Sequence, residues 1–105
     1  MSNETLDVTI THQLQRQGGV YIAQIEGSAH QGRLEWEPRD RSESDARIAT
    51  HTIVPKEIGG RGIAARLVDR LVSDAREQGF TIVPRCSYVA SKFENNPEWS
   101  DLKAD

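Results

Sequence analysis

The chain opens on an alternation. Leu6, Val8 and Ile10 are separated by Asp7 and Thr9, the period of two that marks a half-buried strand. Gln17-Gly18-Gly19 has turn chemistry, and Val20-Tyr21-Ile22-Ala23-Gln24-Ile25 follows as a second strand rich in β-branched and aromatic side chains. Gly27-Ser28 marks another turn or a bulge, and Arg33-Leu34-Glu35-Trp36 predicts a third strand that ends near Pro38. Three strands on short links predict an antiparallel meander. Residues 39–45 (RDRSESD) contain nothing apolar and are expected to form a mobile loop. Residues 46–54 predict a fourth strand, closed by Pro55, which has no N–H to give a ladder.

The periodicity then changes. Ile63, Leu67, Val68, Leu71, Val72 and Ala75 recur at helical spacing. The charges between them, including Asp69, Arg70 and Asp74, predict a solvated face, and Gly79 is a stop just past the end. Phe80-Thr81-Ile82-Val83 predicts a fifth strand with Pro84 at its exit. A weaker helix is predicted over residues 88–94, ended by Asn95-Asn96-Pro97, with a loose tail over 100–105. Tyr88, Phe93 and Trp99 are expected as core or cap residues. A strand-helix-strand crossover makes strands four and five parallel neighbours. The fold class is α+β (α/β): a mixed, mostly antiparallel five-stranded sheet with two main helices.

Composition narrows the function classes. A length of 105 residues suits one domain. With 36% apolar and 28% charged residues the chain is globular rather than disordered. A net charge of −3 argues against nucleic-acid and anionic-membrane partners, which select basic surfaces. The polar start MSNETLDV has no signal-peptide core, and no run approaches the roughly 20 apolar residues of a membrane span. The single cysteine, Cys86, excludes an intramolecular disulfide and suits a reducing, cytoplasmic setting. Three scattered histidines and one cysteine lack metal-ligand spacing, so no metal site is expected.

The candidate chemistry lies at the start of the long helix. Gly59-Gly60-Arg61-Gly62-Ile63-Ala64 joins a strand end to that helix. Glycines allow backbone conformations closed to other residues and keep side chains out of a ligand's way. The first helical N–H groups have no intrahelical partner and sit at the positive end of the helix dipole. A diphosphate there would collect several N–H bonds, with Arg61 adding a charge-assisted one. The alternative is a glycine-rich turn that only launches a helix. The loop is not a Walker A sequence, since no Gly-Lys-Ser/Thr follows, nor a dinucleotide fingerprint.

The stretch His51-Thr52-Ile53-Val54-Pro55, this loop, Ala75-Arg76-Glu77-Gln78-Gly79, and Ile82-Val83-Pro84-Arg85-Cys86-Ser87-Tyr88 together resemble the GNAT acetyltransferase superfamily. More narrowly they are similar to its minimal single-domain branch, the YjdJ-like or NATD-like proteins. The resemblance runs from about Ala46 to Leu102. The superfamily's Gln/Arg-x-x-Gly-x-Gly/Ala pattern falls on Gly62 and Ala64, with Gly59 where Gln or Arg is usual.

The resemblance implies a central parallel pair of strands that splays near its middle. Acetyl-CoA would have its phosphates on Gly59 to Ala64 and its pantetheine arm along Thr52, Ile53 and Val54. An unpaired strand edge could accept such an arm as an added strand. Tyr88 or Asn95 could reach the cofactor from the last helix. Cys86 is placed near the cofactor sulfur, as acetyl acceptor, as acid for the leaving thiolate, or as a packing residue. His51 is the candidate base; alternation puts it on the face of Ile53, so a core-facing Ile53 would make it a structural histidine. The acceptor is expected to be an exposed amine, such as one on a protein, and the protein a monomer or weak dimer. The alternative is an acyl-CoA-binding module, carrier or sensor with little transferase activity, or a partner-binding remnant of the fold.

Overall fold

A computed structural model describes residues 7–39 and 46–104. Leu6, and the loop expected to be mobile from position 40 on, lie outside the described residues. The elements are β1 (Val8–Gln15), β2 (Gly18–Ile25), β3 (Gln31–Pro38), β4 (Ala46–Ile53), α1 (Ile63–Gln78), β5 (Thr81–Pro84) and α2 (Ser87–Glu94). Two 3₁₀ segments, Lys56–Ile58 and Pro97–Leu102, were not foreseen. The five strands form one sheet in the order β1-β2-β3-β4-β5, antiparallel except for β4 with β5. The parallel pair lies at one edge of the sheet, with β5 last in the order, where a central position was expected.

β1 runs five residues beyond its apolar alternation, to Gln15. The hairpin explains this: Gln15 pairs with Gly18 across the Arg16-Gln17 turn, and the ladder is continuous back to Val8 opposite Ile25. Backbone pairing with an apolar neighbour carries a polar sequence into the sheet.

α1 covers one face of the sheet. Ile63, Leu67, Val68, Leu71, Val72 and Ala75 are buried with Tyr21, Ala23, Ile25, Leu34 and Trp36. These positions repeat at three and four residues, so burial of one stripe is what makes this segment helical. Gly79, left-handed at φ 83°, ends the helix with its N–H on the Ala75 carbonyl. Ile53, 44% exposed, and His51 lie on the other face, so the condition that would have made His51 a buried structural residue fails.

The helix is not uniformly solvated on its charged side. Asp74 is buried; it accepts from the Tyr21 hydroxyl at 2.7 Å and from Arg70 Nε at 3.2 Å, while Arg70 also donates to the Ile10 carbonyl at 3.0 Å. The network ties α1 to β1 and β2. Burial, reinforced by Asp74, pushes the Tyr21 hydroxyl well above its ordinary range. Residues 100–104 of the tail expected to be loose are docked: Leu102 is buried, Asp101 pairs with Arg76 at 3.0 Å, and the Ala104 N–H reaches the Ile82 carbonyl at 2.8 Å. Phe93 is buried and meets Trp99 edge to face with ring centres 5.4 Å apart, while Tyr88 stays partly exposed.

Candidate active site

β4 is longer than its parallel partner. β5 pairs with it only from Ala46 opposite Thr81 to Ala49 opposite Pro84. One further bond follows, from the Cys86 N–H to the Ala49 carbonyl at 2.9 Å, and the chain then turns into α2. Pro84 cannot extend the ladder, because it has no N–H. From Thr50 to Ile53 the side of β4 that faces β5 therefore has no strand against it among the described residues. On the other side, a register shift opposite Glu35 and Trp36 bulges β4 at Thr50, whose hydroxyl donates to the Glu35 carbonyl at 3.1 Å. A bulge strengthens local twist and re-aims the strand after it.

α1 begins at the same end of the sheet. Gly60 (φ 73°) and Gly62 (φ 75°) are both left-handed, and a side chain built on either would meet nothing within 4 Å. Glycine is the residue that adopts this backbone without strain, and here it leaves the loop surface open. Gly59 is extended, so its role is not conformational. Gly62 caps α1 without a side-chain bond, and the first turn holds no acidic residue. The first helical bond runs from the Arg66 N–H to the Gly62 carbonyl. The amides of Ile63, Ala64 and Ala65 thus lack intrahelical acceptors. Ile63 is buried and anchors the turn, while Arg61 is exposed beside it. This is an unblocked, positively polarised cradle, which fits a diphosphate.

Gly32, overlooked in the sequence, sets the position of that cradle. A Cβ there would lie 2.9 Å from Ile63 Cγ2 and 3.3 Å from Val54 Cγ2. The bare strand lets the start of α1 settle onto β3. An isolated glycine inside a strand was the available signal.

Cys86 is half-buried at the N-cap of α2, and its thiol donates to Thr52 Oγ1 at 3.5 Å. Burial alone would raise this thiol. The Thr52 hydroxyl and the backbone N–H groups of Val89, Tyr88 and Thr52 outweigh it, and the thiol is lowered from its ordinary value. The fold thus joins Cys86, Thr52 and the start of α2, which carries Tyr88. It does not join His51 to them. His51 is exposed on the opposite face, in register with Glu35, and among the described residues no hydrogen bond or ion pair connects it to Cys86. Asn95 caps the far end of α2, away from its start.

That outer face holds an open groove of about 390 Å³ lined by Ile53, Pro55, Arg33, Glu35, Gln13 and their neighbours. A larger depression of about 640 Å³ lies at the β1–β2 corner, among Asp7, Thr9, Gln24 and Glu26. It shares no residue with the β4 edge or the cradle, so the site is defined by its unpaired main chain rather than by depth. Among the described residues, no three His, Cys, Asp or Glu side chains form a metal-ligating group, and no helix is long and apolar enough to cross a membrane.

A parallel strand pair that parts beside a bare, glycine-lined helix start defines a compact acyltransferase-type α+β domain. The family model described as GCN5-related N-acetyl-transferase matches residues 20–102. The chain belongs to that family, and acyl transfer is the chemistry the family supports.

Proposed function

We propose that this protein is an acetyl-CoA-dependent N-acetyltransferase acting on an exposed amine. The observation that carries the reading is the coincidence at one end of the sheet of two unsatisfied features: the open edge of β4 and the uncapped start of α1. Both offer main-chain groups to one elongated ligand with an anionic end and an amide-bearing arm. Gly59, Gly60, Arg61, Gly62, Ile63 and Ala64 hold the diphosphate. Thr52, Ile53 and Val54 pair with the arm, and Tyr88 flanks it. Acetyl-CoA bound there supplies an acetyl thioester, a carbonyl already activated toward nucleophiles.

The chain's own groups serve both proton transfers. Cys86 holds a proton at Sγ beside Thr52, and its lowered pKa suits donation to a leaving thiolate. His51, on the outer face and in register with Glu35 of the groove wall, takes the proton of the incoming amine. A main-chain N–H on the β4 edge polarises the thioester carbonyl. An open outer face admits a bulky acceptor, such as an amine on a protein surface. A catalytic thiol that must stay reduced agrees with a cytoplasmic setting.

A second reading rests on the same lowered thiol. Cys86 as thiolate attacks the acetyl carbonyl, a bond forms from its Sγ to the acetyl carbon, and the bond to the CoA sulfur breaks. The protein would then act as an acyl carrier. Incubation with acetyl-CoA followed by mass spectrometry separates the two. Turnover of amines with no acetylated chain supports the transferase, while one stable acetyl group, lost in Cys86→Ala, supports the carrier. No binding of acetyl-CoA at all overturns both and leaves a partner-binding remnant of the fold.

A further inference from the structure

We propose that β1 is a dimerisation edge, at which a second copy of this chain adds antiparallel to extend the sheet. The pairing pattern shows which groups this edge presents. The Glu26 N–H bonds to the Asp7 carbonyl at 3.0 Å, and Val8 lies opposite Ile25. Antiparallel alternation then points the main-chain groups of Asp7, Thr9, Thr11, Gln13 and Gln15 toward β2. Those of Val8, Ile10, His12 and Leu14 point away from it. The bond from Arg70 Nη1 to the Ile10 carbonyl, 3.0 Å, agrees with this parity. Among the described residues it is the one hydrogen bond on the outer side of β1, and the main-chain groups of His12 and Leu14 stay available there.

Exposed edge strands are usually blunted by charges, prolines or bulges. β1 has none of these: its sequence is VTITHQLQ, and its ladder with β2 is continuous. Its apolar side chain nearest the turn, Leu14, is 76% exposed. A neutral strand is self-complementary about a two-fold axis, because no like charges meet, and this selects a second copy over a charged peptide.

Register follows from which groups are free. Ile10 is already engaged by Arg70, and the Asp7–Glu26 corner is acidic, so the axis falls at Gln13. His12 then exchanges hydrogen bonds with Leu14 of the partner subunit, and the two Gln13 side chains face each other as a non-hydrogen-bonded pair, the closer-spaced kind. Leu14 is covered in the process.

The test uses the full chain. Sedimentation equilibrium over a wide concentration range is expected to show a reversible approach to twice the monomer mass, and Leu14→Lys is expected to abolish it with unchanged circular dichroism. In a Cys86→Ser background, mild oxidation is expected to cross-link Gln13→Cys into a covalent dimer at least tenfold faster than Thr11→Cys or Gln15→Cys. A chain that stays monomeric at every concentration overturns the proposal. So does a dimer that survives Leu14→Lys, or cross-linking no faster at position 13 than at 11 and 15.

Discussion

At the scale of single residues, the site depends on a few atoms whose removal has separable effects. Thr52 tunes Cys86: Thr52→Val takes away the hydroxyl at 3.5 Å, so the inflection of alkylation rate against pH moves upward, toward the ordinary thiol value. Cys86→Ala is expected to lower kcat roughly 10²-fold or more if the thiol is the acid, with acetyl-CoA affinity retained. Gly62→Ala forces a left-handed alanine at φ 75° and costs about 1–2 kcal/mol in chemical denaturation. It is also expected to weaken acetyl-CoA binding, measured by titration, by disturbing the amides it orients. Gly32→Ala acts by another route, since its methyl group would press on Ile63 and Val54, at about 1–3 kcal/mol. The residues of this site were unequally legible. The left-handed turn at Gly60 and Gly62 was legible, because a glycine cluster just before a helical stripe marks the turn that launches the helix. The Cys86–Thr52 contact did not, because it depends on where β5 stops and on how the bulge at Thr50 turns β4, neither of which a linear pattern records.

At the scale of elements, the stripe of α1 specified a helix and its burial, and both were readable. Its polar side was misread at Asp74. A charge at a solvent-facing spacing becomes a core residue when a tyrosine hydroxyl and an arginine reach it from above and beside it. Tyr21→Phe is expected to destabilise the protein by about 1–3 kcal/mol, since the carboxylate loses a donor without regaining water. The same layer gives β1 a pH dependence. His12 Nε2 accepts from Trp36 Nε1 at 3.0 Å, and its ring stacks on Tyr21 at 4.2 Å. Burial first, then the charge of Arg47, lowers its pKa below the ordinary 6.5, with Asp74 opposing and Arg70 adding. The folded state therefore binds fewer protons than the unfolded chain. The stabilisation from a neutral His12 is complete above about pH 6.5 and is lost as pH falls toward the folded-state value. Urea unfolding followed by Trp fluorescence should show this slope in the wild type and a flatter one in His12→Gln. β1 itself was only half legible, because residues 11–15 owe their strand to the hairpin with β2 rather than to their own alternation.

At the scale of the whole molecule, one sheet serves two purposes on its two faces. The face under α1 holds the core and fixes where the helix begins; the other is open, with a groove lined by Ile53 and with His51 exposed on it. The three-strand meander and the parallel β4–β5 crossover followed from chain order and link length, whereas the place of that pair at the edge of the sheet did not. The docked tail did not, because its anchors, Ile82 and Arg76, are remote in sequence. The family match runs from residue 20, within β2, to residue 102 and leaves β1 outside it, so the glycine loop and the β4 edge lie within the shared framework. The account depends on those two features gripping one ligand. A titration with acetyl-CoA followed by amide resonances tests this most directly. Saturable shifts at Gly60, Gly62 and Ile63 together with Thr52 and Ile53 are predicted; a folded protein in which both groups stay silent at saturating acetyl-CoA would contradict it.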